Sequence, residues 1–366
     1  MKKRVLVTGG VGFIGSHVTD ELLSAGYDVR ILDNLSLPTH GPGQRRPRFL
    51  NSQAEFVIGE IQDPEALRRS LKGIDAVCHL ASAVGVGQSM LDIRSYTNAN
   101  TLGTAVLIDA LIQHPVEHLI VASSMNVYGE GAYMLPDGTR IDTAERTREQ
   151  LASKDWDVRD RSGKLLVPMA TPETKAPALM SVYALSKFSQ ERLCLMLGEE
   201  YGIATTALRI FNAYGPRQLL LNPYMGVLSV FASRLVNHNS PIVYEDGNQL
   251  RDFIHVRDVA RAFRLTLESD KSAGRVINLG SGTALTIREA AQLLVEKMGR
   301  SNVKLSITGR HRAHDVRHCF ADIRLARELL DFDPRVTFVE GLTEMANWLE
   351  ERVPYDRIAI SMGFAS

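Results

Sequence analysis

Short runs of apolar residues, many of them β-branched, alternate with amphipathic stretches over the first half of the chain. Such continuous apolar runs are typical of parallel strands buried on both faces of a sheet. The pattern therefore predicts an α/β fold in which helices cover both faces of a parallel sheet. The predicted strands are "RVLVTG" (4–9), "DVRILDN" (28–34), "AEFVIGE" (54–60), "DAVCHLAS" (75–82), "EHLIVASS" (117–124) and "ATTALRIFN" (204–212).

Between the first two runs, Ile14, Val18 and Leu22 recur at four-residue spacing, which places them on one helix face. Gly26 follows where a helix C-cap is expected. We therefore predict a βαβ unit at the start of the chain.

Two segments interrupt the alternation. The stretch "LSLPTHGPGQRRPRFLN" (35–51) is rich in Pro, Gly and Arg and predicts a loop after the second strand. The stretch from Glu130 to about Pro177 is polar and contains Trp156. A structureless loop of that length is uncommon in a compact domain, so we expect this insertion to fold over another part of the molecule.

After Asn212 the pattern changes to probable helices at 226–238 and 286–299 and a basic stretch, "GRHRAHDVRH" (309–318). We predict a smaller second domain, assembled from discontinuous pieces at the carboxyl ends of the strands. The larger domain is expected to span 1–212 and 252–285, with the insertion at 130–177, and the smaller one 213–251 and 286–366.

The composition is that of an ordinary globular protein of 366 residues, 45% of them hydrophobic and 23% charged. Lys plus Arg and Asp plus Glu both number 42, so no net field favours nucleic acid or an anionic membrane as a partner. The three cysteines are far apart, which argues against disulfides and a cysteine metal site and fits a reducing cytoplasm. The apolar run at the start is too short for a signal peptide, and no later stretch is long enough to span a membrane.

The stretch "TGGVGFIG" places Gly9, Gly12 and Gly15 between a predicted strand and a predicted helix. Glycines let the backbone turn tightly and approach a pyrophosphate, while the N–H groups of the helix N-terminus supply partial positive charge. This context predicts a dinucleotide site.

Asp33 ends the second predicted strand, where a carboxylate accepts hydrogen bonds from ribose hydroxyls and repels a 2′-phosphate. We therefore expect NAD in preference to NADP. Arg45, Arg46 and Arg48 in the following loop are expected to be solvated, and an approach of these arginines to a phosphate is the alternative.

Two other strand ends face the expected cofactor path. Glu60 could face the adenine amino group or be an ordinary strand-end charge, and "HLAS" (79–82) ends the fourth predicted strand. We interpret His79 as a hydrogen-bonded core histidine and assign it no chemistry.

Tyr183 and Lys187 in "SVYALSK" are spaced i, i+4 and share one helix face. A tyrosine with a pKa near ~10 is a poor base at neutral pH, and a neighbouring ammonium together with a positively charged nicotinamide is expected to lower that pKa. Ser124, at the end of the fifth predicted strand, would hydrogen-bond a substrate oxygen while Tyr183 moves its proton.

With these motifs in place, the chain resembles an extended short-chain dehydrogenase/reductase of the nucleotide-sugar epimerase and dehydratase family over nearly its whole length. The resemblance implies a Rossmann-type doubly wound parallel sheet, NAD as cofactor, a smaller substrate-binding domain and a homodimer formed through two helices per subunit. The matching stretches are "TGGVGFIG", "LDN", "HLAS", "NTLGT" (100–104), "SSMNVYG", "YALSK", "LRIFNAYGPRQ" (208–218), "GNQLRDFIHVRDVA" (247–260) and "RAHDVRH" (312–318).

The resemblance also implies roles for individual residues. Asn100 would lie near the catalytic helix and help to fix Lys187. Asn212 would hydrogen-bond the sugar diphosphate, Arg251 and Arg312 would pair with its phosphates, and Asp315 would accept from a ribose hydroxyl. Without the family, each late arginine would be interpreted as a solvated surface charge. The remaining expected contacts are with the cofactor at Phe13, Ile14, Asn34, Ile61, Leu80, Ala81 and Ser82, and with the substrate at Met125 and Asn126.

In the family, tyrosinate removes the proton of the sugar 4-hydroxyl while C4 gives hydride to NAD, which leaves a 4-keto sugar. A 4,6-dehydratase carries an Asp-Glu pair where this chain has Met125 and Asn126, and a uronate decarboxylase usually carries Glu at the second position. Neither Met nor Asn transfers a proton near neutral pH, so elimination is disfavoured. We therefore predict 4-epimerisation, with NAD retained through turnover.

The stretch "NPYMGV" (222–227), the "TPETKAP" run and the long insertion resemble a branch that acts on deoxysugar nucleotides, such as dTDP-L-rhamnose and its epimer dTDP-6-deoxy-L-talose. That branch often carries cysteine pairs in the insertion, and this chain has none, so no bound metal is expected. The alternatives are a UDP-glucose/UDP-galactose or UDP-glucuronate 4-epimerase, a dehydratase, decarboxylase or reductase, and a non-catalytic NAD-sensing protein.

Overall fold

A central sheet of seven parallel strands organises the computed structural model, which describes residues 2–36, 40, 46–218, 226–312 and 315–350. The strand order is β13-β9-β5-β4-β1-β2-β3, so the connections reverse direction between β1 and β4. In doubly wound sheets, ligands bind at this switch point. The strands of the sheet are β1 (Arg4–Thr8), β2 (Asp28–Asp33), β3 (Glu55–Ile58), β4 (Ala76–His79), β5 (His118–Ser124), β9 (Ala204–Ile210) and β13 (Val276–Leu279).

Helices cover both faces of this sheet, as the alternating pattern predicted. Helix α1 (Phe13–Ser24) packs Val18 and Leu22 against one face, whereas Leu107 and Leu111 lie in the core on the other face. Burying each such side chain contributes about 1.5–3 kcal/mol. The other helices around this sheet are α2 (Pro64–Leu71), α3 (Val86–Ser89), α4 (Ile93–Tyr96), α5 (Gly103–Gln113), α7 (Val182–Tyr201), α9 (Val256–Leu267) and α11 (Arg324–Leu330).

The insertion after β5 forms a small antiparallel sheet of its own. Its three strands, β6 (Ala132–Met134), β7 (Arg140–Ile141) and β8 (Val167–Met169), are arranged in the order β7-β6-β8. A short helix, α6 (Arg148–Ala152), is capped by Thr147. Tyr133 and Val158 are fully buried in a separate apolar cluster, so the insertion is an ordered unit.

A second mixed sheet lies after Asn212 and is formed by β10 (Asn212–Tyr214), β12 (Leu250–His255), β14 (Ala284–Thr286) and β16 (His318–Cys319). The expected domain boundaries after residues 212, 251 and 285 each fall within a strand of this sheet. Helices α8 (Val227–Val236), α10 (Ile287–Lys297) and α12 (Phe338–Glu350) enclose a third apolar cluster. A separate pair, β11 (Ile242–Val243) and β15 (Ser306–Ile307), completes the strands.

Within the part of the chain that the structure describes, no helix is both long and apolar enough to cross a membrane. All three cysteines are buried as free thiols. Two predicted features lie outside the described residues, namely Arg45 and positions 222–225 of "NPYMGV".

Candidate active site

The glycine-rich turn lies between β1 and α1 at the switch point of the sheet. Gly9 has a φ of +69°, and a Cβ there would lie 2.8 Å from the Cα of Ala81. A Cβ on Gly15 would lie 2.2 Å from the carbonyl oxygen of Gly9. Gly12 is the N-cap of α1, and no side chain among the described residues caps this helix. The turn therefore fits a pyrophosphate, which needs a close backbone and an uncapped helix N-terminus.

Asp33 fixes this turn from the end of β2. Its carboxylate accepts hydrogen bonds from the backbone N–H of Val11 at 3.0 Å and of Leu35 at 2.9 Å. Next to it, the amide of Asn34 donates to Glu60 at 3.0 Å. These polar groups line the path expected for adenosine, and they contribute negative charge where NADP would carry a phosphate.

The loop arginines differ from one another. Arg46 donates to the backbone carbonyls of Asn51 and Ala54, so its guanidinium stabilises the loop itself. Arg48 is exposed, as expected for a solvated charge.

Ser124 and Tyr183 meet at the carboxyl end of the sheet. Ser124 ends β5, and Ser181 caps α7 through the backbone N–H of Ala184 at 3.1 Å, which places Tyr183 in the first turn of the helix. Ser124 is close enough to the phenol of Tyr183 to oppose the rise of its pKa. The hydroxyl of Ser124 also accepts from the side-chain amide of Asn126 at 3.1 Å. The three residues therefore form one connected polar group.

Lys187 is buried on the same helix, one turn after Tyr183, but its amine bonds elsewhere. Its Nζ donates to Oε1 of Gln190 at 2.7 Å, and burial lowers the pKa of Lys187 to about 7. Burial raises the pKa of Tyr183, and the hydrogen bond with Ser124 opposes that rise. The amine of Lys187 therefore bonds Gln190 and not the phenol, so its expected effect on the pKa of Tyr183 remains a prediction that rests on charge and not on a direct hydrogen bond.

Gln190 in turn belongs to a buried network at the end of β4. Its side-chain N–H group donates to Oγ1 of Thr104 at 2.9 Å and lies 3.1 Å from Nε2 of His79. The other ring nitrogen of His79 is 2.8 Å from the hydroxyl of Thr8. Burial lowers the pKa of His79 to about 3, so the ring is neutral near pH 7. His79 is thus a hydrogen-bonded core histidine, as predicted.

Asn100 contacts α7 one residue before Lys187. Its amide donates to Oγ of Ser186 at 2.8 Å and its oxygen accepts from the backbone N–H of Ala83 at 2.6 Å. Asn100 lies in a π-helical turn (97–102), an irregularity that is frequent at functional sites. It fixes the helix that carries Lys187, while Gln190 bonds the amine directly.

A buried ion pair anchors α7 to the central sheet. Glu191 accepts from Nη2 of Arg209 at 2.6 Å and from its Nε at 2.9 Å. The hydroxyl of Ser123 donates to the same carboxylate at 2.6 Å. Since Ser123 precedes Ser124 on β5, this pair fixes the helix and the strand end that carry the two hydroxyl groups of the site.

Met125, the first of the two residues that take the place of the dehydratase acids, links two parts of the site. Met125 is buried, and its sulfur accepts from the amide of Asn212 at 3.3 Å. The same amide donates to the carbonyl of Asp252 at 3.0 Å. Met125 and Asn212 thereby connect the end of β5 to the second sheet.

Arg251 and Asp315 form a second polar centre on that sheet. Arg251 is buried and donates to the carbonyls of Leu250, Val316 and Arg317, and its Nη2 lies 3.6 Å from Oδ1 of Asp315. The side chain of Arg312 is 57% exposed, and its Nη2 lies 3.1 Å from the same carboxylate. Without the family resemblance, the sequence predicted a solvated Arg251. The backbone carbonyls around Arg251 explain why it is buried instead.

Sequence reasoning missed Gln190, Glu191 and Arg209. Gln190 was detectable, because its i, i+3 spacing from Lys187 places both on one helix face. Arg209 and Glu191 pair across 18 residues between a strand and a helix, and no local pattern indicates such a pair.

Comparisons with known proteins agree with this geometry. The model of the "NAD dependent epimerase/dehydratase family" matches residues 5–151 and 165–280. The chain is 33% identical over 356 residues to dTDP-L-rhamnose 4-epimerase of Burkholderia thailandensis, which covers 96% of both chains.

Two solved structures share the fold. UDP-glucose 4-epimerase of Thermotoga maritima, in complex with UDP-glucose, has a TM-score of 0.78 and 30% identity and covers 95% of this chain and 99% of its own. UDP-glucuronic acid 4-epimerase of Bacillus cereus, in complex with UDP-glucuronic acid and NAD, has a TM-score of 0.77 and 27% identity with the same coverage. The chain therefore belongs to the NAD dependent epimerase/dehydratase family and is an NAD-dependent epimerase.

Proposed function

We propose that the protein interconverts the C4 epimers of a nucleotide sugar through a transient 4-keto intermediate. The substrate we propose is a dTDP-6-deoxyhexose, dTDP-L-rhamnose and dTDP-6-deoxy-L-talose being the two epimers. The observation that carries this proposal is the polar group of Ser124, Tyr183 and Asn126 at the carboxyl end of β5, with Met125 beside it. This group contains one residue suited to proton transfer at O4 and no acid suited to elimination.

In this mechanism Tyr183 takes the proton of the sugar 4-hydroxyl and returns it after the sugar has turned. Ser124 hydrogen-bonds O4 and keeps it within reach of the phenol, and Asn126 orients Ser124. Bound NAD supplies the hydride acceptor and donor for C4. The ammonium form of Lys187 favours the phenolate of Tyr183 by charge.

Gly9, Gly12 and Gly15 would hold the pyrophosphate of NAD, and Asp33 would accept from its ribose. The expected contacts at Phe13 and Ile14 lie in the first turn of α1, and those at Leu80, Ala81 and Ser82 directly follow β4. Their position at the switch point supports this assignment. Ile61 is buried beside Gly103 at the start of α5.

For the substrate we propose that Arg251 and Arg312 pair with the diphosphate, Asp315 accepts from the ribose, and Asn212 contacts the diphosphate near Met125. Arginine suits phosphate because its donors match two oxygens at once. The similarity to a dTDP-L-rhamnose 4-epimerase over 96% of both chains supports the deoxysugar.

We also propose a homodimer formed through α5 and α7. These helices pack against each other, and they expose large apolar side chains at Ile112, Leu185 and Met196. Leu185 and Met196 are eleven residues apart on one face of α7, so the pattern is that of a helix face covered by a partner. Light scattering of the wild type and of Met196→Glu tests this, with a shift to monomer expected for the variant and a monomeric wild type contradicting it.

The function is tested by incubating the purified protein with dTDP-L-rhamnose, UDP-glucose, UDP-galactose and UDP-glucuronate and recording NMR spectra of the sugar ring protons. We expect a C4 epimer of the dTDP-sugar, with the amount of bound NAD unchanged after turnover. Tyr183→Phe serves as the inactive control. If only a UDP-sugar is converted, the UDP-sugar is the substrate and the proposed deoxysugar is wrong. A 4-keto-6-deoxy product or carbon dioxide would refute epimerisation.

A further inference from the structure

The insertion between β5 and α7 contacts the proposed diphosphate centre through charged side chains, of which Glu130 and Arg146 are buried. Its sheet leaves the central sheet at Glu130 and returns near Thr171, and both ends run beside β16. The backbone N–H of Gly131 donates to the carbonyl of His318 at 2.8 Å, and that of Thr171 to the carbonyl of Phe320 at 2.8 Å. Residues 315–318 therefore lie between the insertion and β12, which pairs with β16 on the other side.

Three side chains of the insertion hold this segment. The carboxylate of Glu130 accepts from the backbone N–H of Arg317 at 2.6 Å and of His318 at 3.2 Å. Arg146 donates to the carbonyl of Asp315 at 2.9 Å, and Asp157 lies 3.3 Å from the guanidinium of Arg317. We name Glu130, Arg146 and Asp157 the insertion clamp.

Arg146 is the central member of the insertion clamp. Its side chain is 4% exposed, and besides Asp315 it contacts Glu245 at 2.7 Å. The second oxygen of Glu245 accepts from Arg317 at 2.9 Å. One buried arginine thus joins the insertion to the segment just before β16 and to the loop after β11, where water screens the charges little.

The clamp acts on the diphosphate centre through backbone carbonyls. Arg251 donates to the carbonyls of Val316 and Arg317, as well as to that of Leu250, and its Nη2 lies 3.6 Å from the carboxylate of Asp315. The clamp bonds Asp315, Arg317 and His318, which belong to the same segment. A change in the clamp therefore moves the acceptors that aim Arg251.

We propose that the insertion is a positioning device for the nucleoside diphosphate, and that Arg146 is the positioning residue that orders Arg251 and Asp315 for phosphate and ribose. This inference rests on the proposed roles of Arg251 and Asp315. It assigns the insertion to the affinity for the nucleotide part of the substrate and not to the chemistry at C4.

The test compares Arg146→Lys and Arg146→Met with wild type. Lysine keeps the charge but offers a point charge in place of a fork, so it cannot bond Glu245 and the carbonyl of Asp315 together. The matched control is Arg159→Met, since Arg159 also pairs with a carboxylate, at 2.9 Å to Asp155, and its hydrogen-bond partners among the described residues all belong to the insertion. Retained NAD and the thermal unfolding midpoint report folding of each variant.

Titration calorimetry with dTDP and with UDP measures the effect without turnover. Loss of a charge-assisted hydrogen bond corresponds to about 10- to 100-fold in affinity. We expect weakening of this size for Arg146→Met, a smaller weakening for Arg146→Lys, and no change for Arg159→Met. In the epimerase assay, KM should rise by a similar factor while kcat stays within about twofold.

Folded Arg146 variants that bind both nucleotides as tightly as wild type would overturn the proposal, and so would a fall in kcat at constant KM. If Arg146→Met does not fold, Arg146→Lys decides between the outcomes. Because calorimetry needs no sugar, a wild type that binds dTDP or UDP but gives no C4 epimer would refute the proposed function and leave the clamp intact.

Discussion

Gln190 offers the sharpest test of how this site controls charge. Lys187 is 3% exposed, and the acceptor of its buried amine is Oε1 of Gln190 at 2.7 Å. Gln190 is itself fixed by Thr104 and His79. The side chain at position 190 should therefore set the pKa of Lys187, and through it the pH range in which Tyr183 acts as a base.

The size and sign of the effect follow from the structure. Burial lowers the pKa of Lys187 to about 7, so about half of the amines are charged at pH 7 and roughly one in ten at pH 8. Gln190→Glu places a carboxylate at the same position, and an opposite charge at this distance raises a pKa by about 1–3 units. Gln190→Met keeps the length of the side chain but removes the acceptor, which lowers the pKa of Lys187 further.

The assay is the pH dependence of kcat/KM between pH 5.5 and 9.5 at constant ionic strength. Because the ammonium favours the phenolate, activity should fall as Lys187 loses its proton on the alkaline side. We expect the midpoint of this fall to move upward by about one unit or more in Gln190→Glu and downward in Gln190→Met. One unit corresponds to about a tenfold difference in rate on that limb.

Ser189→Ala is the matched control, because Ser189 lies beside Gln190 but faces outward, where its hydroxyl donates to the carbonyl of Leu185 at 3.0 Å. Its profile should coincide with that of wild type. Identical midpoints in all four proteins, or a shift in the same direction in both Gln190 variants, would refute the reasoning, since charge at position 190 would then have no influence on the titrating group.

Three further predictions concern the hydroxyl group, the glycine turn and the helix anchor. Tyr183→Phe removes the proton carrier and should lower kcat by about 10²–10⁴-fold while NAD stays bound, as measured by progress curves and by cofactor release in acid. Gly15→Ala forces a Cβ to within 2.2 Å of the carbonyl oxygen of Gly9, so the purified variant should contain little NAD; a normal content would show that the turn can yield. Glu191→Ala leaves the Arg209 charge buried without its carboxylate and should cost about 3–5 kcal/mol in urea unfolding at matched NAD occupancy, whereas Glu65→Ala, which breaks an exposed pair, should leave stability unchanged.

The sequence was sufficient to predict those parts of the site that depend on residues close together along the chain. The glycine turn after β1 and the shared helix face of Tyr183 and Lys187 both follow from spacing of a few residues. The parallel sheet follows from apolar runs that only a doubly covered sheet can bury. These features were predicted correctly because neighbouring residues determine them.

Contacts between segments that are far apart along the chain could not be predicted from the sequence. The direction of the Lys187 amine depends on Gln190, which His79 on β4 and Thr104 on α5 hold in place. The burial of Arg251 depends on carbonyls more than 60 residues further along the chain. An arginine in a basic stretch looks the same in sequence whether solvent or backbone carbonyls surround it.

In the proposed mechanism, epimerisation sets two opposite demands on the site, and we propose that each of the two polar centres meets one of them. The 4-keto sugar must turn over to receive hydride on its other face, while the diphosphate must stay bound so that the intermediate is not lost. Around Arg251, buried ion pairs and backbone hydrogen bonds resist movement. Beside Ser124, Met125 carries an uncharged thioether whose sulfur accepts from Asn212, and the side-chain amide of Asn126 donates to Ser124. An acid at either position would hydrogen-bond the sugar and oppose its rotation as well as supply a proton for elimination. The neutral pair beside Ser124 is therefore suited to epimerisation on both grounds.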